Sequence, residues 1–218
     1  MLNTVIFDMD GLLIDSEPLW ETAGMETLAE YGISLSRDEY YRSTGLRTRE
    51  WVEFWFAYFG VDAIHTDAAI TNIVQKAIQY IGSEGVAFPG TSYIIDFFKE
   101  RNFKIGLATS SPLDLVNVVI SKLGLKNRFD MFTSAEFLSY GKPHPQVYIE
   151  CAAALGSTSI SCLCFEDSFN GMIAAKAAKM KCVAIPHTSH RHEARWGAAD
   201  LTLDSLMDFN DEALGRLQ

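Results

Sequence analysis

From Lys104 to near the C-terminus, short apolar runs alternate with amphipathic helical patterns. This alternation is the mark of a parallel sheet whose strands are joined by helical crossovers. The expected strands cover residues 4–7, 104–108, 131–133, 162–165, 182–185 and 201–203. Between the first two the chain reads as helical throughout. Ser36-Arg37-Asp38-Glu39 has capping-box spacing and opens one helix. Ile70, Ile73, Val74, Ala77, Ile78 and Ile81 recur at helical spacing and mark another, which Gly82 and Gly85 are expected to stop. Pro89-Gly90 then turns the chain back. A βαβ crossover needs only about a dozen residues, so this stretch is too long to be one. The expectation is an α/β core built from residues 1–15 and 85–218, with residues 16–84 inserted as a helical domain.

Apolar residues make up 48% of the 218-residue chain, enough for a sizeable core. A formal net charge of −10 argues against nucleic acid as a partner. No run reaches the roughly 20 apolar residues that span a bilayer, and Met1 to Phe7 is not signal-like. Cys151, Cys162, Cys164 and Cys182 lack metal-ligand spacing and read as buried free thiols. These features suggest a cytoplasmic protein away from membranes, and nothing in them demands more than a monomer.

The first apolar run, Thr4-Val5-Ile6-Phe7, leads straight into Asp8-Met9-Asp10-Gly11. In open α/β sheets ligands bind at the carboxyl ends of strands, and alternation puts Asp8 and Asp10 on one side. Three later strand ends carry chemistry of their own. Thr109-Ser110-Ser111 offers hydroxyls and backbone N–H groups before Pro112, at the start of a helix suited to an anion. Gly141-Lys142-Pro143-His144-Pro145 holds a lysine on a loop stiffened by prolines, and the Walker pattern is absent. Glu166-Asp167-Ser168 places an acidic pair before Ser168, a good N-cap. If Asp8, Asp10, Glu166 and Asp167 converge, neighbouring charges about 4 Å apart repel by about 4 kcal/mol each at an effective dielectric near 20. A divalent cation relieves that repulsion, and an all-oxygen site suits Mg2+.

Taken in order, Phe7-Asp8-Met9-Asp10-Gly11, Thr109-Ser110, Gly141-Lys142-Pro143 and Glu166-Asp167 resemble the four motifs of the haloacid dehalogenase superfamily, over nearly the whole chain. The run from Asp8 to Trp20 is similar to the sugar-phosphate phosphatases of its β-phosphoglucomutase-like branch. The resemblance implies a Rossmann-like core with strand order 5-4-1-2-3 and a helical-bundle cap inserted after the first strand. It also implies a mechanism. Asp8 attacks phosphorus and becomes an aspartyl-phosphate. Asp10 protonates the leaving oxygen, then acts as base for the hydrolytic water. Thr109, Ser110 and Lys142 hold the phosphoryl oxygens. Mg2+ sits on Asp8, the backbone carbonyl of Asp10, and Asp167, with Glu166 bound directly or through water.

The expected substrate is a small phosphorylated sugar or sugar alcohol, with Arg47, Glu17 and Trp20 as the cap candidates for recognising it. The segment 44–48 that carries Arg47 is the first choice among these. Trp51, Phe54, Trp55, Tyr58 and Phe59 fall at helical spacing and read as cap core. His187, His190 and His192 read as a surface loop. Two rivals remain: a phosphomutase of the same branch, which shares these motifs, and a catalytically silent scaffold that binds phosphate esters.

Overall fold

The six expected strands form one parallel sheet: β1 (Thr4–Phe7), β4 (Lys104–Thr109), β5 (Met131–Ser134), β6 (Cys162–Glu166), β7 (Lys181–Ala184) and β8 (Leu201–Thr202). Their spatial order is β5-β4-β1-β6-β7-β8. Counting only the first five of these strands along the chain, this is 5-4-1-2-3 read from one edge, with β8 added outside the fifth. The computed structural model describes residues 1–43 and 45–218, apart from the side chains of Tyr41 and Arg42; Thr44, in the segment that carries Arg47, lies outside the described residues.

All four residues of β1 are buried, as a strand covered on both faces requires. Phe7 points to one face, stacking on Phe165 and meeting Phe98 and Phe129 edge-on. Helices α5 (Thr91–Glu100), α6 (Leu113–Lys122) and α9 (Asp211–Leu217) contribute to that core. Ile6 points to the other face, where Cys162, Cys164 and Cys182 pack with α7 (Gln146–Ala154) and α8 (Phe169–Ala177). All four cysteines are buried and free, as their spacing suggested. From β1 the sheet grows to β4 on one side and to β6 on the other. The carboxyl end of β1 is therefore the switch point at which ligands bind in such sheets.

Two short strands absent from the sequence reading, β2 (Ile14–Asp15) and β3 (Val86–Ala87), pair antiparallel beside this sheet. Between them run α1 (Glu17–Glu30), α2 (Arg37–Arg42), α3 (Thr48–Phe59) and α4 (Thr66–Glu84). The capping box forms as read: Ser36 N–H donates to Glu39 Oε2 at 2.8 Å, and Glu39 N–H to Ser36 Oγ at 3.3 Å. Helix α4 does not stop at Gly82 but runs to Glu84. The Lys122 ammonium of α6 holds the carbonyls of Gly82 and Ser83 at 3.0 and 3.1 Å, supplying the partners that the last helical turn lacks. Trp51 and Trp55 are core residues of α3, but Phe54, Tyr58 and Phe59 are exposed, a correction to the reading of all five as core. Helical spacing identifies one stripe, whereas these five aromatics cover a wider arc than one face can bury. No helix among the described residues is long and apolar enough to cross a membrane.

Candidate active site

Asp8 follows the last residue of β1 and its N–H is held by the Phe165 carbonyl at 3.0 Å, so β6 fixes its backbone. Its side chain is buried against Lys142, whose ammonium donates to Asp8 Oδ1 at 2.6 Å, Glu166 Oε1 at 2.6 Å and the Ala108 carbonyl at 3.3 Å. Three protons meet three acceptors. Burial pulls the lysine's pKa down, yet the adjacent charges of Asp8 and Glu166 win and hold it above the ordinary range. For Asp8 the balance is reversed. Burial drives its carboxyl well up, more than the Lys142 charge lowers it.

Glu166 is held by four donors. Oε1 also accepts from the Tyr148 hydroxyl, and Oε2 from Ser168 N–H at 3.2 Å and Ser168 Oγ at 3.0 Å. Asp167 is the opposite case. Its Oδ1 is shielded from solvent with no hydrogen-bond partner, and burial, then the charges of Asp8, Glu166 and Glu17, push its carboxyl well up. Ligand oxygens of Asp8, Glu166 and Asp167 lie within 4.8 Å of one another. An orphaned carboxylate oxygen beside two others, all hard donors, fits a divalent cation such as Mg2+. The Asp10 side chain lies outside this cluster; the resemblance had implied only its backbone carbonyl. Gly11, at φ 75°, turns the chain directly over Asp167, where a Cβ would lie 2.2 Å from Oδ2.

Asp10 is gripped by neighbours instead. Oδ1 accepts from Ser16 Oγ at 2.7 Å and Trp20 Nε1 at 3.0 Å; Oδ2 accepts from Ser111 Oγ at 2.6 Å and Thr109 Oγ1 at 3.4 Å. Trp20 thus holds Asp10, a role distinct from the expected contact with substrate. Ser110 donates its hydroxyl to the Gly45 carbonyl at 3.0 Å.

A cavity of about 90 Å³ opens on these groups, lined by Asp8, Asp10, Thr109, Ser110, Lys142 and Asp167 and walled by Glu17, Trp20, Tyr40, Trp51 and Ile73 from the helices between β2 and β3. Glu17 Oε2 is shielded and unpartnered. Burial, then the charges of Asp10, Glu21 and Asp15, raise its carboxyl to about 8. The structure does not bring Arg47 into this cavity. Its guanidinium instead meets the Ala135 and Leu138 carbonyls and Glu50. His187 and His190 line a second cavity of about 100 Å³ with Phe88, Phe169 and Trp196, which adjoins the first at Glu17, Asp167 and Ser168. No metal-ligand group among the described residues includes them.

Ser16, Ser111 and Tyr148 were missed as site residues. Ser111 could have been read from the run of three hydroxyls at 109–111, but nothing local to Tyr148 points to a glutamate on another strand.

Residues 5–185 match the family described as haloacid dehalogenase-like hydrolase. The chain belongs to that family. It is 39% identical over 210 residues to hexitol phosphatase B of Escherichia coli strain K12, covering 96% of this chain and 95% of that one. It is 30% identical to the phosphorylated carbohydrates phosphatase of Thermotoga maritima, over 81% of this chain and 82% of that one. Among solved structures, β-phosphoglucomutase from Clostridium difficile superposes with a TM-score of 0.88 at 21% identity, covering 100% of this chain and 97% of that chain. At that identity the likeness concerns the fold. CbbY from Rhodobacter sphaeroides in complex with phosphate superposes with a TM-score of 0.85 at 26% identity, over 95% and 96% of the two chains.

Proposed function

We propose that this haloacid dehalogenase-like hydrolase is a Mg2+-dependent phosphatase that hydrolyses monophosphates of small sugars or sugar alcohols through a phosphoaspartyl intermediate on Asp8. The observation that carries the reading is the setting of Asp8: a buried carboxylate at the switch point, facing the cavity, in contact with Lys142 and the Asp167 cluster. The named activities of the relatives, hexitol phosphatase and phosphorylated carbohydrates phosphatase, support the substrate class and favour hydrolysis over a mutase reaction.

An oxygen of Asp8 attacks phosphorus and the ester P–O bond breaks. Asp10 gives its proton to the departing sugar oxygen. Water then attacks the phosphoryl group, Asp10 takes the water's proton, and Asp8 is released with inorganic phosphate. Lys142 neutralises oxygens on phosphorus, and Thr109 and the Ser110 N–H, at the end of β4, are suited to hold them. A divalent ion on Asp8 and Asp167 supplies the positive charge that lets a phosphate dianion approach so acidic a pocket. Glu166, with both oxygens already engaged, suits contact with that ion through water and directs Lys142. Glu17 and Trp20 wall the cavity, and Glu17, whose shielded Oε2 has no partner, is suited to a sugar hydroxyl of the leaving group. The helices between β2 and β3 act as a cap spanning residues 16–84, on a core of residues 1–15 and 85–218. A cytoplasmic location agrees with the buried free cysteines.

The test is Mg2+-dependent phosphate release across hexose, deoxyhexose, hexitol and pentose monophosphates, with Asp8→Asn as control. Turnover and acid-stable trapping of 32P on the protein are expected from the wild type and neither from the variant. Full activity in Asp8→Asn would overturn the assignment.

A further inference from the structure

We infer that Arg47 and Glu50 form a clasp through which the helices between β2 and β3 fix the loop that carries Lys142, so that this pair governs the rate of reaction at Asp8 and not the choice of ester. The inference rests on the phosphatase reading above.

Arg47 stands at the N-cap of α3. Its Nη1 donates to the Leu138 carbonyl at 2.6 Å and the Ala135 carbonyl at 3.3 Å, in the loop that follows β5. Its Nη2 donates to Glu50 Oε1 at 2.6 Å. The same oxygen lies 3.4 Å from the Gly141 N–H, while Glu50 Oε2 accepts from the Arg47 N–H at 3.2 Å. The two side chains therefore hold the 135–141 loop at both ends, and the next residue is Lys142. The planar guanidinium suits this task, because it reaches two carbonyls and a carboxylate from one rigid fork.

Gly141 records how close the approach is. A Cβ there would lie 2.6 Å from Glu50 Oε2 and 2.7 Å from Arg47 Nε. Its backbone is not in the left-handed region, so what demands glycine is the clasp. At the far side, Ala135 N–H is held by the Thr109 carbonyl at 2.9 Å. The loop is thus pinned to the strand end that presents Thr109 and Ser110. With both ends fixed, Lys142 sits 2.6 Å from Asp8 and from Glu166. A shift of about 1 Å at such a group can cost about 100-fold in rate. Leu46 and Thr48 line the cavity but Arg47 between them does not, which separates this role from substrate recognition.

Steady-state kinetics on the ester panel, with amide hydrogen exchange, test the clasp. Arg47→Ala and Gly141→Ala should each lower kcat about 10- to 100-fold for every ester. The kcat/KM ranking should stay as in the wild type, and exchange should speed up over residues 135–142 but not in β1. Arg47→Lys should recover part of the loss, and Glu50→Ala should resemble Arg47→Ala. Gly141→Ala leaves all three charged side chains intact, so it reports on the approach even if Arg47→Ala folds poorly. A reordered ester ranking in Arg47→Ala, or wild-type kcat and exchange in Gly141→Ala, overturns the inference. If the wild type releases phosphate from no ester, the phosphatase reading fails, and the exchange measurement still decides whether the clasp holds the loop.

Discussion

Asp167→Asn should make the metal-free protein more stable while removing its response to Mg2+. Asp167 shares a 4.8 Å cluster with Asp8 and Glu166, and at that separation each pair of like charges repels by about 3 kcal/mol at an effective dielectric near 20. Lys142 offsets the charges of Asp8 and Glu166, to which it is bonded, but makes no bond to Asp167. The carboxyl relieves part of this strain by binding a proton, which is why burial and its neighbours push its pKa well up. A carboxyl whose pKa is raised on folding contributes stability in full below its unfolded pKa, about 3.9. That contribution is lost as pH rises through the folded value. The neutral asparagine loses nothing over that window. Allowing for the proton and for Lys142, the gain at pH 8 should be about 1–3 kcal/mol, or about 2–12 °C in Tm for a chain of this size. It should vanish near pH 4. Mg2+ at about 100 times its Kd should stabilise the wild type by about 2.7 kcal/mol and the variant by far less. The assay is thermal unfolding followed by circular dichroism, in chelator and in MgCl2, at pH 4 and pH 8. If Asp167→Asn is no more stable than the wild type in chelator at pH 8, or keeps the full Mg2+ shift, the cluster is not a strained cation site.

Three further outcomes follow from single contacts. Glu17, with its carboxyl at about 8, should gain charge as pH rises through that value and repel the phosphate ester. KM should therefore climb above pH 8 in the wild type and stay flat in Glu17→Gln; parallel profiles would show that Glu17 does not face the substrate. Trp20→Phe removes the 3.0 Å donor to Asp10 and should slow alkyl phosphates by about 10-fold or more, since proton transfer is worth about 100- to 10,000-fold. In single-turnover transfer to Asp8, the step before Asp10 serves as base, it should spare p-nitrophenyl phosphate, whose leaving group needs no proton, and equal losses on both esters in that step would refute the role. Ser36→Ala breaks the box at the start of α2 and should cost about 1 kcal/mol, read from urea unfolding; no change would mean the box is only a surface contact.

What could be read from the sequence was what depends on local pattern. Strand positions followed from apolar runs, the capping box from its spacing, Asp8 and Asp167 from their places at strand ends, and Lys142 from its proline-stiffened loop. The pairing of β2 with β3 was invisible because two residues carry no periodicity. Tyr148 was missed because its partner, Glu166, is near it only once the sheet has formed. Arg47 shows a third limit. A lone arginine ahead of a helix has no sequence mark that tells substrate from backbone carbonyl, and its bonds to the Ala135 and Leu138 carbonyls form only in the folded chain. Trp20 was expected to meet the substrate, whereas its indole N–H donates to Asp10.

The pairing of Ile14 with Ala87 and of Asp15 with Val86 makes the whole excursion through α1–α4 a single enlarged hairpin loop. Its entrance and exit lie one strand spacing apart, about 5 Å. The parallel sheet is therefore indifferent to what hangs from those two points. Because the entropy of closing a loop grows only with the logarithm of its length, bundles of other sizes can be exchanged there at little thermodynamic cost. The sheet with Asp8 can then stay as it is while the chamber above it is rebuilt for another ester.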